Sequence, residues 1–252
     1  MSVGVGIAGC CGRMGRAIAT LALEDSMFAV RGALEAPGHA ALGQDYGTFL
    51  GLPKPLGVAV VDDAAAAMRP ADVVIDFTLP EATLAHVGVA RQLRKAIVIG
   101  TTGLTPPQME AIRDAAKSIA VVVSPNMSAG VNVLMEVART AAERLRGFDV
   151  EVVESHHRHK KDAPSGTAKR LAEVLARARG QSAEQIPVHA VRAGDIVGDH
   201  TVILAGPSER LEITHRAHSR EVFARGALRA AQFVQGRAPG LYDMADVLAA
   251  RM

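Results

Sequence analysis

Tryptophan is absent from the 252 residues, and only two tyrosines and six phenylalanines are present. A core of stacked aromatics is excluded, so burial has to come from Ala, Val, Leu and Ile. No apolar run reaches bilayer-spanning length, and no membrane helix is expected. Cysteine is almost missing too: Cys10 and Cys11 are adjacent, and there are no others. A bridge between neighbours is strained, which argues against a disulfide-stapled fold and for free thiols in a reducing compartment. Charge of one sign is also lacking, since the formal net charge is +2. A nucleic-acid surface is therefore not expected. Val3-Gly-Val-Gly-Ile-Ala8 follows the start without a basic leader or cleavage site, so a cytoplasmic location is expected.

What is present is 49% hydrophobic and 21% charged, the balance of a globular chain with a sizeable core. Val3 to Ala8 reads as a buried strand that enters Gly9-Cys-Cys-Gly-Arg-Met-Gly15 and then a helical pattern. Glycines at 9, 12 and 15 form a GxxGxxG variant of the dinucleotide fingerprint. One makes the turn, one admits a pyrophosphate to the backbone, and one lets helix and strand pack closely. Arg13 can meet a phosphate. Phe28 to Leu34 reads as the second strand, and Glu35 at its tip can accept both hydroxyls of an adenosine ribose. Ala36 follows it, and Arg31 and His39 are not adjacent, so the site leans to NADH over NADPH. Residues 37–57 read as loop. Strands at 58–61, 72–78, 96–99 and 119–123 alternate with helices at 62–68, 80–94 and 106–117. This alternation specifies a Rossmann-type, doubly wound parallel sheet in an α/β fold. Its strand-end loops, Gly9 to Met14, Asp76-Phe-Thr78, Gly100-Thr-Thr102 and Ser124 to Met127, suit a nucleotide.

A long helix from Ser128 should bridge to a second, α+β domain. Strands at 148–155, 188–197, 200–205 and 210–217 have no helices between the last three, so that sheet should be mixed or antiparallel and open on one face. Helices at 219–234 and 244–250 should return to the first domain. The expected division is 1–127 with 220–252 for the dinucleotide and 128–219 for substrate and oligomer contacts.

The stretch Glu151 to Ala168 carries the distinctive chemistry. An alternating acidic and β-branched strand runs into His156-His-Arg-His-Lys-Lys161, and Pro164-Ser-Gly-Thr167 then starts a helix with Ser165 as N-cap. A free helix N-terminus suits a carboxylate. A dicarboxylate could be held between Lys160 and the Ser165-Gly166-Thr167 backbone, with His156 placed to move a proton. Alternatives are a solvated basic turn, and a metal site on His156, His157 and His159. The missing carboxylate or cysteine of a recognisable ligand spacing argues against metal. A non-catalytic NAD(P)-sensing module would need the glycine turn and Glu35, but would have no use for the capped helix at a cationic loop.

The segment Glu151…Glu154-Ser-His156…Lys160-Lys-Asp162-Ala-Pro-Ser-Gly-Thr-Ala168 resembles the 4-hydroxy-tetrahydrodipicolinate reductase (dihydrodipicolinate reductase) family. Gly12-Arg-Met-Gly15, Asp76-Phe-Thr78, Gly100-Thr-Thr-Gly103, Asn126 with Gly130-Val-Asn132, Arg192 to Gly198 and Glu212-Ile-Thr-His215 extend the resemblance over nearly the whole chain. It implies NAD(P)H-dependent reduction of 4-hydroxy-tetrahydrodipicolinate, via dihydrodipicolinate, in the diaminopimelate route to lysine. Hydride would pass from nicotinamide to ring C4. His156 would supply the proton, with Lys160 as a second donor and carboxylate partner. His157, Ser165, Gly166 and Thr167 would hold the substrate. The cofactor, NADH or NADPH, would touch Gly9, Cys10, Cys11, Gly12, Arg13, Met14, Glu35, Gly100, Thr101, Thr102, Ser124, Pro125, Asn126 and Met127. No metal is implied, and the family assembles as a homotetramer through the second-domain sheet. Family members that use NADPH well often carry Arg where Ala36 stands here.

Overall fold

The structure is a computed structural model that describes residues 2–250. The chain divides into two units, residues 1–127 with 223–252, and Ser128–Val222.

The first unit is built on seven strands: β1 (Val3–Ala8), β2 (Phe28–Leu34), β3 (Val60–Val61), β4 (Val73–Asp76), β5 (Ala96–Ile99), β6 (Ala120–Val123) and β11 (Gly240–Tyr242). All pair in parallel, in the order β11-β6-β5-β4-β1-β2-β3. Period-two alternation sends neighbouring residues to opposite faces. Val73 and Ile75 enter one core and Val74 the other; Val98 enters the first, and Ile97 and Ile99 the second. The first core is closed by α1 (Arg13–Glu24), α8 (Glu221–Val234) and α9 (Met244–Ala249), the second by α3 (Ala64–Met68), α4 (Pro80–Gln92) and α5 (Pro106–Ala115). Both faces of the sheet are covered, as a parallel sheet requires.

The register lines up the strand ends. Ala8 pairs with Leu34 and with Asp76, Asp76 with Ile99, and Ile99 with Val123. The residues that follow, Gly9, Glu35, Phe77, Gly100 and Ser124, therefore leave the sheet along one edge.

The first unit holds two elements that were not expected. The stretch 37–57 is not all loop, because α2 (Tyr46–Phe49) lies within it. Its cap residue Asp45 accepts the N–H groups of Thr48, Leu56, Gly57 and Val58 at 2.7–3.2 Å. β11 lies between the two expected C-terminal helices, where no strand was expected, and extends the sheet beside β6.

The second unit holds α6 (Ala129–Arg144), β7 (Asp149–His156), α7 (Gly166–Arg179), β8 (Val188–Arg192), β9 (Gly198–Ala205) and β10 (Arg210–Ala217). The sheet order is β10-β9-β7-β8, with β7 and β8 parallel and the other pairs antiparallel. α6 and α7 cover one face, contributing Leu134, Ala138, Leu171 and Leu175 to a core with Val152, Val202 and Leu204. Ser165 caps α7 by accepting the Ala168 N–H, and Gly180 ends it in a left-handed conformation. The strand expected over 188–197 stops at Arg192, and Gly194 turns the chain at φ +51°. Among the described residues, no helix is long and apolar enough to cross a membrane.

Candidate active site

The first unit shapes a phosphate cradle. Gly9 sits at φ +75°, and a side chain there would meet the Phe77 carbonyl at 2.8 Å. At Gly15, a Cβ would lie 2.2 Å from the Gly9 carbonyl oxygen. α1 can start directly beneath the turn only because both positions are bare. Gly12 precedes α1 with no side-chain cap, which leaves the helix N–H groups free for an anion. The Glu35 carboxylate accepts the Cys11 N–H at 2.8 Å and the Ala36 N–H at 2.9 Å. Arg13 and Thr102 are exposed, while Met14 and Asn126 are half-buried. These features fit a dinucleotide: bare backbone, an open helix start, and a carboxylate at the next strand end.

Other residues of the expected set face inward. Thr101 is buried, and its hydroxyl joins a network on the fully buried Asp76 carboxylate. Thr78, Thr83 and His86 complete that network, with His86 Nδ1 2.7 Å from Asp76. Ser124 donates to the Asn126 carbonyl at 2.8 Å, and Met127 packs in the core. Thr101, Ser124 and Met127 thus offer a ligand backbone more than side chain. Arg31 is exposed, and His39 Nδ1 accepts the Ala41 N–H.

In the second unit, alternation along β7 sends Glu154 and His156 to the covered face. Glu154 is fully buried. Its oxygens accept both terminal nitrogens of Arg192, at 2.7 and 2.9 Å, and the Ser165 N–H at 3.0 Å. His156 Nδ1 bonds to the same carboxylate. Burial opposes ionisation of Glu154, but Arg192, His156 and the Ser165 N–H outweigh it and hold the carboxyl below its ordinary range. Beside an ionised carboxylate, Nδ1 of His156 is the donor. Nε2 is therefore the nitrogen free for proton exchange. A Cβ at Gly198 would lie 3.0 Å from Nε2, so the glycine keeps that atom approachable.

The His200 ring packs edge-on to His156 with centroids 5.2 Å apart. Burial first, and the neighbouring His156 next, pull His200 down to about 4. It is neutral at physiological pH. Its Nε2 lies 3.3 Å from the Ser165 hydroxyl, and its buried Nδ1 has no partner.

Lys160 lies in the turn after β7, with its ammonium 2.8 Å from Asp162. A dicarboxylate has to compete with that side chain. Gly166 is exposed at the start of α7, and Thr167 is half-buried. A cavity of about 590 Å³ is lined by His157, Arg158, His159, Gly194, Asp195 and Arg220. Desolvation and then Arg220 hold His157 below its usual value. His156 turns inward to Glu154, whereas His157 and His159 stand with ring centroids 6.3 Å apart. The one group of metal-type ligands that converges among the described residues is Cys10, Cys11 and Glu35, not the histidines.

Comparison with known proteins decides the family. Residues 3–127 match "Dihydrodipicolinate reductase, N-terminus", and residues 130–248 match "Dihydrodipicolinate reductase, C-terminus". The chain belongs to the dihydrodipicolinate reductase family. Its activity is that of an NAD(P)H-dependent oxidoreductase that reduces 4-hydroxy-tetrahydrodipicolinate in the diaminopimelate route to lysine. The 4-hydroxy-tetrahydrodipicolinate reductase of Anaeromyxobacter dehalogenans is 50% identical, over 97% of each chain. That of Nitrosomonas europaea is 46% identical, over 98% of each. In fold, the chain is similar to the dipicolinate-bound dihydrodipicolinate reductase from Paenisporosarcina sp. TG-14, with TM-score 0.82, 24% identity and 98% and 99% coverage.

Within this reductase fold, three groups escaped the sequence reading. Tyr46 is fully buried, and its hydroxyl donates to the Cys10 carbonyl at 2.7 Å, fixing the glycine turn from below. Glu154, fully buried, and Arg192, half-buried, form the pair that orients His156. Arg220 adds a cation to the cavity beside His157. A Glu two residues before a His on one strand face was a usable signal; the other two had none.

Proposed function

We propose that His156 supplies the proton in the reduction and that Lys160, with the Ser165-Gly166-Thr167 helix start, holds the substrate's carboxylates. The single observation that carries the reading is the Arg192–Glu154–His156 chain around the fully buried Glu154 carboxylate, which leaves only Nε2 of His156 to exchange a proton. When bound, the reduced nicotinamide supplies the hydride. Charge then develops on the substrate ring, and a nearby ammonium stabilises it mainly in the transition state. Neutral His200 beside His156 adds no competing charge. Arg158 and Arg220 around the cavity, against the single acid Asp195, favour an anionic substrate.

For the cofactor we favour NADH. Glu35 is aimed at the glycine turn, and Ala36 offers no cation for a 2′-phosphate. For assembly we favour a homotetramer through the uncovered sheet face. Thr201, Ile203 and Val153 share that face by register, and Val191 adds exposed apolar surface on β8. Sedimentation should give four chains per particle, and Ile203→Arg should give smaller ones. A wild-type monomer would end the assembly reading.

The functional test is a coupled assay with freshly made substrate, run with NADH and NADPH side by side. His156→Gln and Lys160→Ala should each lower kcat by about 10²–10⁴-fold, the usual share of general acid catalysis. NADH binding should persist in both. Near-normal turnover in both variants would remove the assignment. A non-catalytic sensor would instead bind dinucleotide and oxidise no NADH with any cyclic imine.

A further inference from the structure

We propose that Cys10, Cys11 and Glu35 form a binding site for a thiophilic divalent ion, zinc or cadmium, and that the bound ion excludes the dinucleotide. The exclusion rests on the reading of this turn as the dinucleotide cradle; ion binding itself does not.

The three ligand atoms lie within 4.8 Å of one another. The two sulfurs are 3.7 Å apart. Thiolates held about 2.3 Å from a tetrahedral zinc stand about 3.8 Å apart, so the pair is already spaced for an ion. A disulfide would need the sulfurs at about 2.05 Å and a distorted intervening peptide. The spacing fits a chelate better than a bridge.

The backbone beneath is fixed. Tyr46 holds the Cys10 carbonyl, and the Cys11 N–H is bonded to Glu35. Cys10 is fully buried, while Cys11 and Glu35 are half-buried, so an ion can enter from their side with water as a fourth ligand. Two thiolates and a carboxylate are a soft, anionic set that selects zinc or cadmium over magnesium or calcium. Arg16 on α1 is the nearby cation and only partly offsets that charge.

Burial pushes both thiols above their ordinary range. Each must release a proton as the ion binds. Coordinated Glu35 can no longer accept ribose hydroxyls, and the ion itself sits in the turn where the pyrophosphate approaches.

The full-length protein should be titrated with cadmium in the absence of dinucleotide, following the ultraviolet sulfur-to-cadmium charge-transfer band. The band should saturate at about one ion per chain. NADH binding, read by fluorescence, should fall as zinc is added and return with chelator. Cys11→Ser, which changes a half-exposed side chain, should abolish the band. Cys10→Ala, checked for folding by its melting curve, should abolish it too. No band in the wild type, an undiminished band in Cys11→Ser, or full NADH occupancy with zinc bound would each overturn the proposal. Absence of NADH binding even in chelator would sink the exclusion along with the dinucleotide reading, while the charge-transfer band still reports on the ion site.

Discussion

A carboxylate taken wholly out of water costs several kcal/mol unless donors surround it. Glu154 has the Arg192 fork, the Ser165 N–H and His156 Nδ1 around it. The arrangement fixes the His156 ring as well as its tautomer, so Glu154 is a positioning residue. Glu154→Gln keeps the shape and removes the charge. It should cost about 3 kcal/mol at most, because Arg192 keeps 18% of its side chain exposed and is not stranded in a dry core. Its kcat should fall about tenfold to a thousandfold, with NADH affinity unchanged. Glu154→Asp should recover part of kcat. A role limited to stability would show as normal turnover by whatever fraction stays folded, and that result would refute the positioning role.

At the level of elements, the strand ends were legible and their supports were not. β1 through α1 follows from a buried run, three glycines at set intervals and an amphipathic helix, all local signals. α7 was equally legible, because Ser165 and Gly180 bracket a periodic apolar stripe. α2 and β11 were not, since each is held by distant partners. The Asp45 carboxylate reaches N–H groups up to 13 residues away, and β11 exists only beside β6. Of the site, His156, Lys160 and the glycine turn stood out by residue type. Glu154 with Arg192, 38 residues apart, required the β7–β8 pairing to be known. Tyr46 is the clearest case, an aromatic in a Gly- and Pro-rich stretch with no local sign of a role, yet it fastens Cys10 36 residues away. Tyr46→Phe leaves that buried carbonyl without its hydroxyl donor. It should cost about 1–3 kcal/mol of stability. NADH affinity should weaken while kcat at saturating NADH holds. Unchanged NADH binding in isothermal titration would show that the turn does not need this anchor.

Across the whole molecule, the two units carry separate cores and different acid sensitivities. Ser128–Val222 holds the buried His200, which takes up a proton only near pH 4 in the fold. An unfolded histidine does so near 6.5, so the unfolded chain binds the extra proton first as pH falls. Stability is lost between those values, by about 2 kcal/mol at pH 5 from His200 alone. His215, held down by burial in the same unit, adds to this loss. Glu154 acts in a lower window. Its folded value lies below the ordinary carboxylate range, so its stabilisation is intact above that range and disappears as pH falls through the lower value. Both losses fall on Ser128–Val222. Hydrogen exchange at pH 7 and pH 5 should therefore show protection falling first in β7, β9 and α7, with β1, β4 and β5 unchanged. His200→Gln should flatten the upper part of this dependence by removing the histidine's share. Equal loss of protection in the two units, or an unaltered pH dependence in His200→Gln, would show that the buried ring does not set the acid limit of this fold.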